Sequence, residues 1–387
     1  MPSCTGFGTP DGFIDTDVCV KVSWTLKECD GLLPAGYEVA YDQIVLYEAP
    51  ASAFNAGSAA VNDIVNAEET SSEAVFSGQF IYEKTMEGDR VSDWKAVFDK
   101  NTGALSSYVI GGVETLKEPL MPSFGRAVVE NDMGADFQNR FKMWRYPEFK
   151  VASFNVEKSS DHYVVTTEYA PFGKVCSVTM TYEIHPDGAI VAREKMNDKG
   201  ELSKAPCLFR FGMKLAMPGE FSTLDFYGLG PWDNYCDRKS AALLGHYVQR
   251  VQDQYWYGYV RTQESGTKSD LRWLKVLSSS GIGIEITSDT RFSGSALPFS
   301  QKQMDSALSD PRPRKNPTNQ QAGEATHSLE LLPLAHNDAR SLGTTYVNFD
   351  LKEMGVGGTD SWGRWPLEPY LVRPAEYEFN FVIRPVK

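Results

Sequence analysis

Histidine is scarce: His162, His185, His246, His327 and His336 are the only five in 387 residues, each isolated. The zinc-hydrolase pattern H-E-x-x-H is missing, as are G-x-S-x-G, the P-loop and a G-x-G-x-x-G in a strand–helix setting. Cys4, Cys19, Cys29, Cys176, Cys207 and Cys236 show no C-x-x-C spacing, so structural zinc is not indicated and reduced, buried thiols are expected. Basic charge is short as well. Thirty-eight Lys and Arg face 51 Asp and Glu, a net charge of −13 without a basic run, which argues against nucleic acid and against an anionic membrane surface. No apolar stretch approaches the roughly 18 residues of a membrane span. The opening "MPSCTGFGTPDGF" lacks the charged-then-apolar signal pattern. A cytoplasmic location is therefore expected, with the periplasm as the alternative.

Helical periodicity is nearly absent too. Strands do not alternate with helices of about 10–15 residues, so a (β/α)8 barrel is not encoded. Only "DRKSAALLG" and "SQKQMDSALS" look helical. What fills the chain is short alternating runs parted by turn chemistry. "DVCVKVSWTL" (Asp17–Leu26) sets Val18, Val20, Val22 and Trp24 on one face, as a half-buried strand does, and "AYDQIVLYE" follows as its neighbour. From Glu73 onward the runs recur in "AVFSGQFIYEK", "HYVVTTEYA" and "VCSVTMTYEIHPDGAIVAREKM", with "DKNTG" and "HPDG" as hairpin turns. The fold expected is all-β. Residues 73–387 form a large antiparallel sandwich, residues 51–72 an Ala-, Ser- and Asn-rich linker, and residues 1–50 a partial immunoglobulin-like sandwich. Two strands cannot complete such a sandwich and leave an edge open, so the chain reads as a piece of something larger.

Aromatic residues carry the functional signal. "YGLGPWDNYCDR" (Tyr227–Arg238) and "DQYWYGYVRTQESG" (Asp253–Gly266) crowd Trp and Tyr beside Asp, Asn, Arg, Gln and Glu. Sugars are recognised by that mixture: a ring face of C–H bonds stacks on an aromatic while planar polar groups fork onto hydroxyls. Filling a wide sandwich is the competing use of each of these rings. A third stretch, "EMGVGGTDSWGRWP" (Glu353–Pro366), places three glycines in four positions (Gly355, Gly357, Gly358) before Trp362, and a fourth, Gly363, between Trp362 and Trp365.

In their order and spacing these stretches resemble the C-terminal domain of β-galactosidases of glycoside hydrolase family 2. "MPSFGRAVVENDMG" (Met121–Gly134) is similar to that domain's early Arg-Ala-Pro-x-Asp-Asn-Asp segment. "VSWTLKECDGLLPAGYEVAYDQIVL" is similar to the end of the immunoglobulin-like domain before it. Val128 stands where the family often has Pro, Glu130 where it has Asp, and Ser265 where many relatives carry Asn.

The resemblance implies a supersandwich similar to galactose mutarotases. It implies a sugar partner and a barrel domain, or large subunit, that owns both catalytic carboxylates and most of the magnesium and sodium ligands. No catalytic residue and no metal ligand is then expected in this chain, which alone would be inactive and would act in a homo- or hetero-oligomer. By the Asp-Ser-Trp match, Trp362 would stack on the sugar at the mouth of the active site. Gly134, Ala135, Asp136, Phe137, Gln138, Asn139 and Arg140 would form a mobile loop near that site. The glycines would let an adaptable loop aim Trp362 away from its own sandwich, and Trp365, next to Pro366 and Leu367, is assigned to packing. Two rival functions remain: a stand-alone carbohydrate-binding module, and an aldose 1-epimerase using His327 or His336 with Glu264 as its acid and base.

Overall fold

The structure is a computed structural model that describes residues 17–51, 60–62, 64–170, 172–305, 343–360 and 363–387. The chain divides into two units, residues 1–53 and 54–387. In the first, β1 (Val18–Thr25) and β2 (Glu38–Tyr47) form an antiparallel hairpin that pairs Val20 with Ile44 and Trp24 with Ala40. The strands lie where alternation put them, but the face expected to be half-buried is open: Val20, Val22 and Trp24 are exposed, as are Ile44 and Val45. Within this unit's described residues the hairpin is its own two-stranded sheet.

The second unit begins with a five-stranded antiparallel sheet of β3 (Asn66–Glu69), β4 (Glu73–Glu83), β5 (Arg90–Asp99), β6 (Ala104–Ile110) and β7 (Val113–Glu114), in chain order. Residues 66–69 fall inside the stretch expected to be linker. "NAEE" has no apolar alternation because β3 is a fully exposed edge strand, held by pairing with β4 and by the Lys100–Glu69 ion pair at 2.8 Å.

Twelve strands then make one branched antiparallel sheet among the described residues. They are β8 (Glu118–Ser123), β9 (Val151–Lys158), β10 (Tyr163–Tyr169), β11 (Cys176–Ile184), β12 (Ile190–Asp198), β13 (Arg210–Pro218), β14 (Thr223–Gly230), β15 (Leu243–Arg250), β16 (Lys268–Leu277), β17 (Gly283–Leu297), β18 (Thr344–Glu353) and β19 (Glu378–Val386). The main path runs β15-β14-β16-β17-β19-β12-β11-β10-β9, and β18, β13 and β8 branch from β17. β17 makes the branch: its first half pairs with β19 and its second half, Ser293–Leu297, with β18. Opposite that bend, β16 carries register shifts around Asp270, whose φ of +52° turns the strand.

Alternation decides which face is core. Cys176, Val178, Met180, Tyr182 and Ile184 of β11 are buried, as are Leu224 and Phe226 of β14. Helices are short. Of the two segments expected to be helical, "DRKSAALLG" instead runs through turns into β15, where Leu244 is buried by pairing with β14. "SQKQM" does form α-helix, Gln301–Met304, because Ser300 Oγ caps the Gln303 amide at 3.2 Å and Gln303 Oε1 returns to the Ser300 amide at 2.9 Å.

Some inward positions break the apolar rule. Glu194 on β12 is fully buried and neither carboxyl oxygen has a hydrogen-bond partner. Burial, reinforced by Asp350, pushes its pKa well above the usual carboxyl range. The folded group keeps a proton that the unfolded chain releases above its ordinary pKa, so its contribution to stability falls as pH rises from there towards the folded pKa. Glu194→Met is therefore expected to raise the melting temperature, and the gap from the parent should widen between pH 5 and pH 8. Thermal melts across that range check this; a gap independent of pH would contradict it.

Candidate functional site

The four sequence stretches singled out above meet at one end of the second unit. Their meeting point is a buried set of charges. Arg126, 1% exposed, donates from Nη2 to Asp132 Oδ1 and Oδ2 at 3.2 and 3.1 Å. Arg210, on β13 and 2% exposed, reaches Asp350 Oδ2 at 3.2 Å, Glu353 Oε1 at 3.0 Å and Glu264 Oε1 at 3.4 Å. Glu353 Oε1 also lies 3.7 Å from Arg126 Nη1, which joins the two groups. Burial opposes charge on both arginines, but the surrounding carboxyls outweigh it and hold the guanidiniums protonated. Two cations share four acids, so the acids compete for neutralisation. Burial raises the pKa of Asp132 and pushes that of Asp350 well above the carboxyl range. Glu264 is raised to about 7, by burial first, with Arg210 opposing and Glu353 adding.

This set fixes the glycine-rich loop. Arg126 donates to the carbonyls of Met354 and Gly355, Asn131 Nδ2 to the Val356 carbonyl at 3.1 Å. The Asp237 carboxylate accepts from the amides of Val356 at 3.0 Å and Gly357 at 2.8 Å. The amides of Met354 and Gly355 go to Phe209 and Tyr370 carbonyls. A Cβ on Gly355 would overlap the Asp237 carboxylate, so only glycine admits that acid so close. The loop read as adaptable is thus clamped along Met354–Gly357. Its far end is crowded too: Gly363, at φ +87°, lies so close to Gly134 and Ala135 that a Cβ would overlap their backbone. Ser361 and Trp362 lie outside the described residues.

The segment expected to be a mobile loop is helical turns. Glu130–Gly134 (α1) and Phe137–Arg140 (α2) are joined through Ala135 and Asp136, the latter at φ +63° with Oδ1 accepting from Asn139 at 2.6 Å and Gln138 at 3.3 Å. Gly134, Asp136, Asn139 and Arg140 are exposed and Gln138 is half-buried, whereas Ala135 and Phe137 are core. Trp365 packs edge-on against Phe137 and Phe141, with ring centroids 4.8 and 5.6 Å away, and the Arg140 guanidinium sits over it at 6.0 Å. That agrees with its assignment to packing.

The aromatic stretches divide by role. Tyr235 and Tyr255 are buried, and the Tyr255 hydroxyl accepts the Gln263 amide at 3.1 Å. Trp232 and Trp256 stand 75% and 58% exposed. The buried Lys268 ammonium donates to Gln254 Oε1 at 2.9 Å and lies over the Phe226 ring at 5.9 Å, and burial lowers its pKa to about 8. Of the acid–base pairs weighed for an epimerase, Glu264 is buried against Arg210, while His327 and His336 lie outside the described residues. Among the described residues, no three His, Cys, Asp or Glu side chains converge as metal ligands. Nor is any described helix long and apolar enough to cross a membrane.

A family model described as β-galactosidase small chain matches residues 90–383. The chain belongs to the β-galactosidase small-chain family. Curated relatives agree. A β-galactosidase of Priestia megaterium is 29% identical over 96% of this chain but only 32% of its own length. One from Halalkalibacterium halodurans is 29% identical over 75% of this chain and 26% of its own. The chain thus spans about a third or less of these relatives. Among solved structures, a putative aldose 1-epimerase from Escherichia coli covers 80% of this chain at 10% identity and a TM-score of 0.37, with 99% of its own length covered. A galactose 1-epimerase from Lactobacillus acidophilus covers 80% at 9% identity and the same score, with 98% of its own length covered.

Sequence reasoning missed Arg126, Arg210, Asp237 and Asp350 as organisers of this small-chain domain. Two of them left a trace. "CLFRFGM" and "YVNFDL" each set one charge, Arg210 and Asp350, among mainly apolar strand residues, which marks a buried partner.

Proposed function

We propose that this chain is the non-catalytic portion of a β-galactosidase acting on terminal β-D-galactosides, and that it lends an aromatic wall to an active site owned by a barrel-bearing polypeptide. The observation that carries this reading is the family match of a chain that spans only about a third of its relatives. Retaining hydrolysis needs a nucleophilic carboxylate and an acid/base carboxylate about 5–5.5 Å apart. The acids at the loop end are committed elsewhere: Asp132, Glu264, Asp350 and Glu353 are buried against Arg126 and Arg210. The reacting pair, with most of the magnesium and sodium ligands, is assigned to the barrel-bearing polypeptide. The exposed apolar face of the β1–β2 hairpin supports a further polypeptide as partner, since two strands alone are marginal in water.

Trp362 is assigned to the sugar. A stacked indole offers area to a ring face and neither a proton nor a nucleophile, so it acts on binding and orientation. In the complete enzyme, Trp362→Ala is expected to lose about 1–3 kcal/mol of binding. KM should then rise roughly 5- to 150-fold at 1.4 kcal/mol per tenfold. Steady-state kinetics with a chromogenic galactoside measure this, and an unchanged KM would remove the role.

A further inference from the structure

We propose that the cavity between α2 and the C-terminal stretch is a binding site for a small oxyanion that carries a ring, a sugar acid or a sugar phosphate. The cavity measures about 470 Å³, inside the roughly 300–1,000 Å³ range of small-molecule pockets. Arg140 and Arg373 supply its charge, and Phe141, Pro206, Trp365 and Pro374 supply its apolar lining. Each guanidinium has donors to give. Arg140 closes α2 and sits over the Trp365 ring at 6.0 Å, and among the described residues it makes no ion pair. Arg373 gives Nε and Nη2 to the Glu368 carboxylate at 2.8 and 2.5 Å, which fixes its plane and leaves Nη1 towards the Cys207 thiol at 3.6 Å. Burial raises the Cys207 pKa, so that thiol is neutral and sets no rival negative charge in the cavity wall. Glu368 offsets part of the Arg373 charge, and Arg140 carries the excess. Forked N–H donors of this kind match the oxygens of a carboxylate or a phosphate.

The walls are held before any ligand arrives. The Leu208 amide donates to the Val372 carbonyl at 2.9 Å, a bridge that sets Cys207 and Arg373 beside each other. Trp144 Nε1 donates to the Pro206 carbonyl at 3.0 Å. Phe141 packs on Phe209 as well as on Trp365, with centroids 5.5 and 5.6 Å away. A cavity fixed in this way costs little ordering when it binds, which favours a small ligand. Trp365 is half-buried, so its packing against Phe137 and Phe141 leaves ring surface for the C–H bonds of a sugar, and Ser203 adds a hydroxyl for the sugar's own. A bare anion would leave the apolar lining unused, and a neutral sugar would leave Arg140 without a counter-charge. The cavity would take this ligand whether or not Trp362 meets a sugar.

Titration calorimetry on the 387-residue chain tests this with galactose 6-phosphate and galacturonate, with neutral galactose, and with inorganic phosphate and acetate as the bare anions. The charged sugars carry both features, and whichever binds more tightly identifies the oxyanion as phosphate or carboxylate. At least one should bind about tenfold tighter than galactose and about tenfold tighter than its bare anion. Arg140→Ala and Arg373→Gln should each weaken that binding about tenfold. Arg90→Ala, which removes an exposed arginine of β5, should leave it unchanged and so controls for net charge. If Arg373→Gln lowers the melting temperature, Arg140→Ala decides alone, since Arg140 is exposed. Binding that survives Arg140→Ala, or that falls equally with Arg90→Ala, overturns the site. So does a bare anion or galactose binding as tightly as the charged sugars, or no binding of either charged sugar.

Discussion

Arg210→Ala should cost about 3–5 kcal/mol of folding stability, the range for removing one partner from a buried ion pair. That is a large share of the roughly 5–15 kcal/mol that holds an ordinary domain together. The size follows from what remains. Asp350, Glu353 and Glu264 all reach Arg210, and each is buried, so the truncation leaves Asp350 and Glu264 without their cation and Glu353 with only Arg126 at 3.7 Å. Asp350 and Glu264, whose pKa values burial already raises, are relieved by protonation, which fixes the sign with pH. Where the acids carry protons the missing guanidinium matters least; as pH rises they must ionise unpaired or stay protonated against solution. The loss should therefore be smaller at pH 5 than at pH 8. Arg210→Lys should sit between parent and Ala, since an ammonium keeps the charge but cannot fork onto Asp350 and Glu353 together. Denaturant melts at both pH values measure all of this. A cost below about 1 kcal/mol at pH 8 would mean that the acids are not organised by Arg210.

The effect should reach the loop end as well. Glu353 closes β18 and bears on both arginines, and Met354–Gly357 begin immediately after it. Loss of Arg210 should therefore loosen the glycine-rich loop before it melts the five-stranded sheet. Clamping of the loop by side chains from two separate stretches, Met121–Gly134 and Tyr227–Arg238, explains why glycine can be frequent there without leaving the backbone free.

Strands were legible wherever burial alternates: β4, β11 and β12 show it residue by residue, and β1 lies where Val18 to Trp24 alternate. β3 was not legible, since an exposed edge strand has no apolar face to encode. "DRKSAALLG" misled because good helix formers there serve a turn and the start of β15, where pairing with β14 outweighs weak local propensity. The candidate site was legible only in part. Aromatic-rich stretches and the glycine-rich loop stand out in the sequence, yet the contacts that organise them are long-range. Arg126 and Met354, or Asp237 and Val356, are paired by the sheet's branching and by no local pattern. Buried acids were equally hidden, because among 51 acidic residues nothing in the neighbouring letters separates Glu264 from a solvated surface glutamate. Arg210 and Asp350 could have been found from charge inside an apolar strand. Asp237 could not.

The second large effect concerns activity itself. A chain that supplies walls and orientation without the reacting carboxylates has nothing with which to form or hydrolyse a glycosyl intermediate. The decisive measurement is turnover of a chromogenic β-galactoside by the purified 387-residue chain, prepared in a host lacking its own β-galactosidase, alone and then mixed with the barrel-bearing polypeptide. The account predicts no hydrolysis above the uncatalysed rate for the chain alone and hydrolysis once the two are combined. Sustained turnover by the chain alone would contradict it.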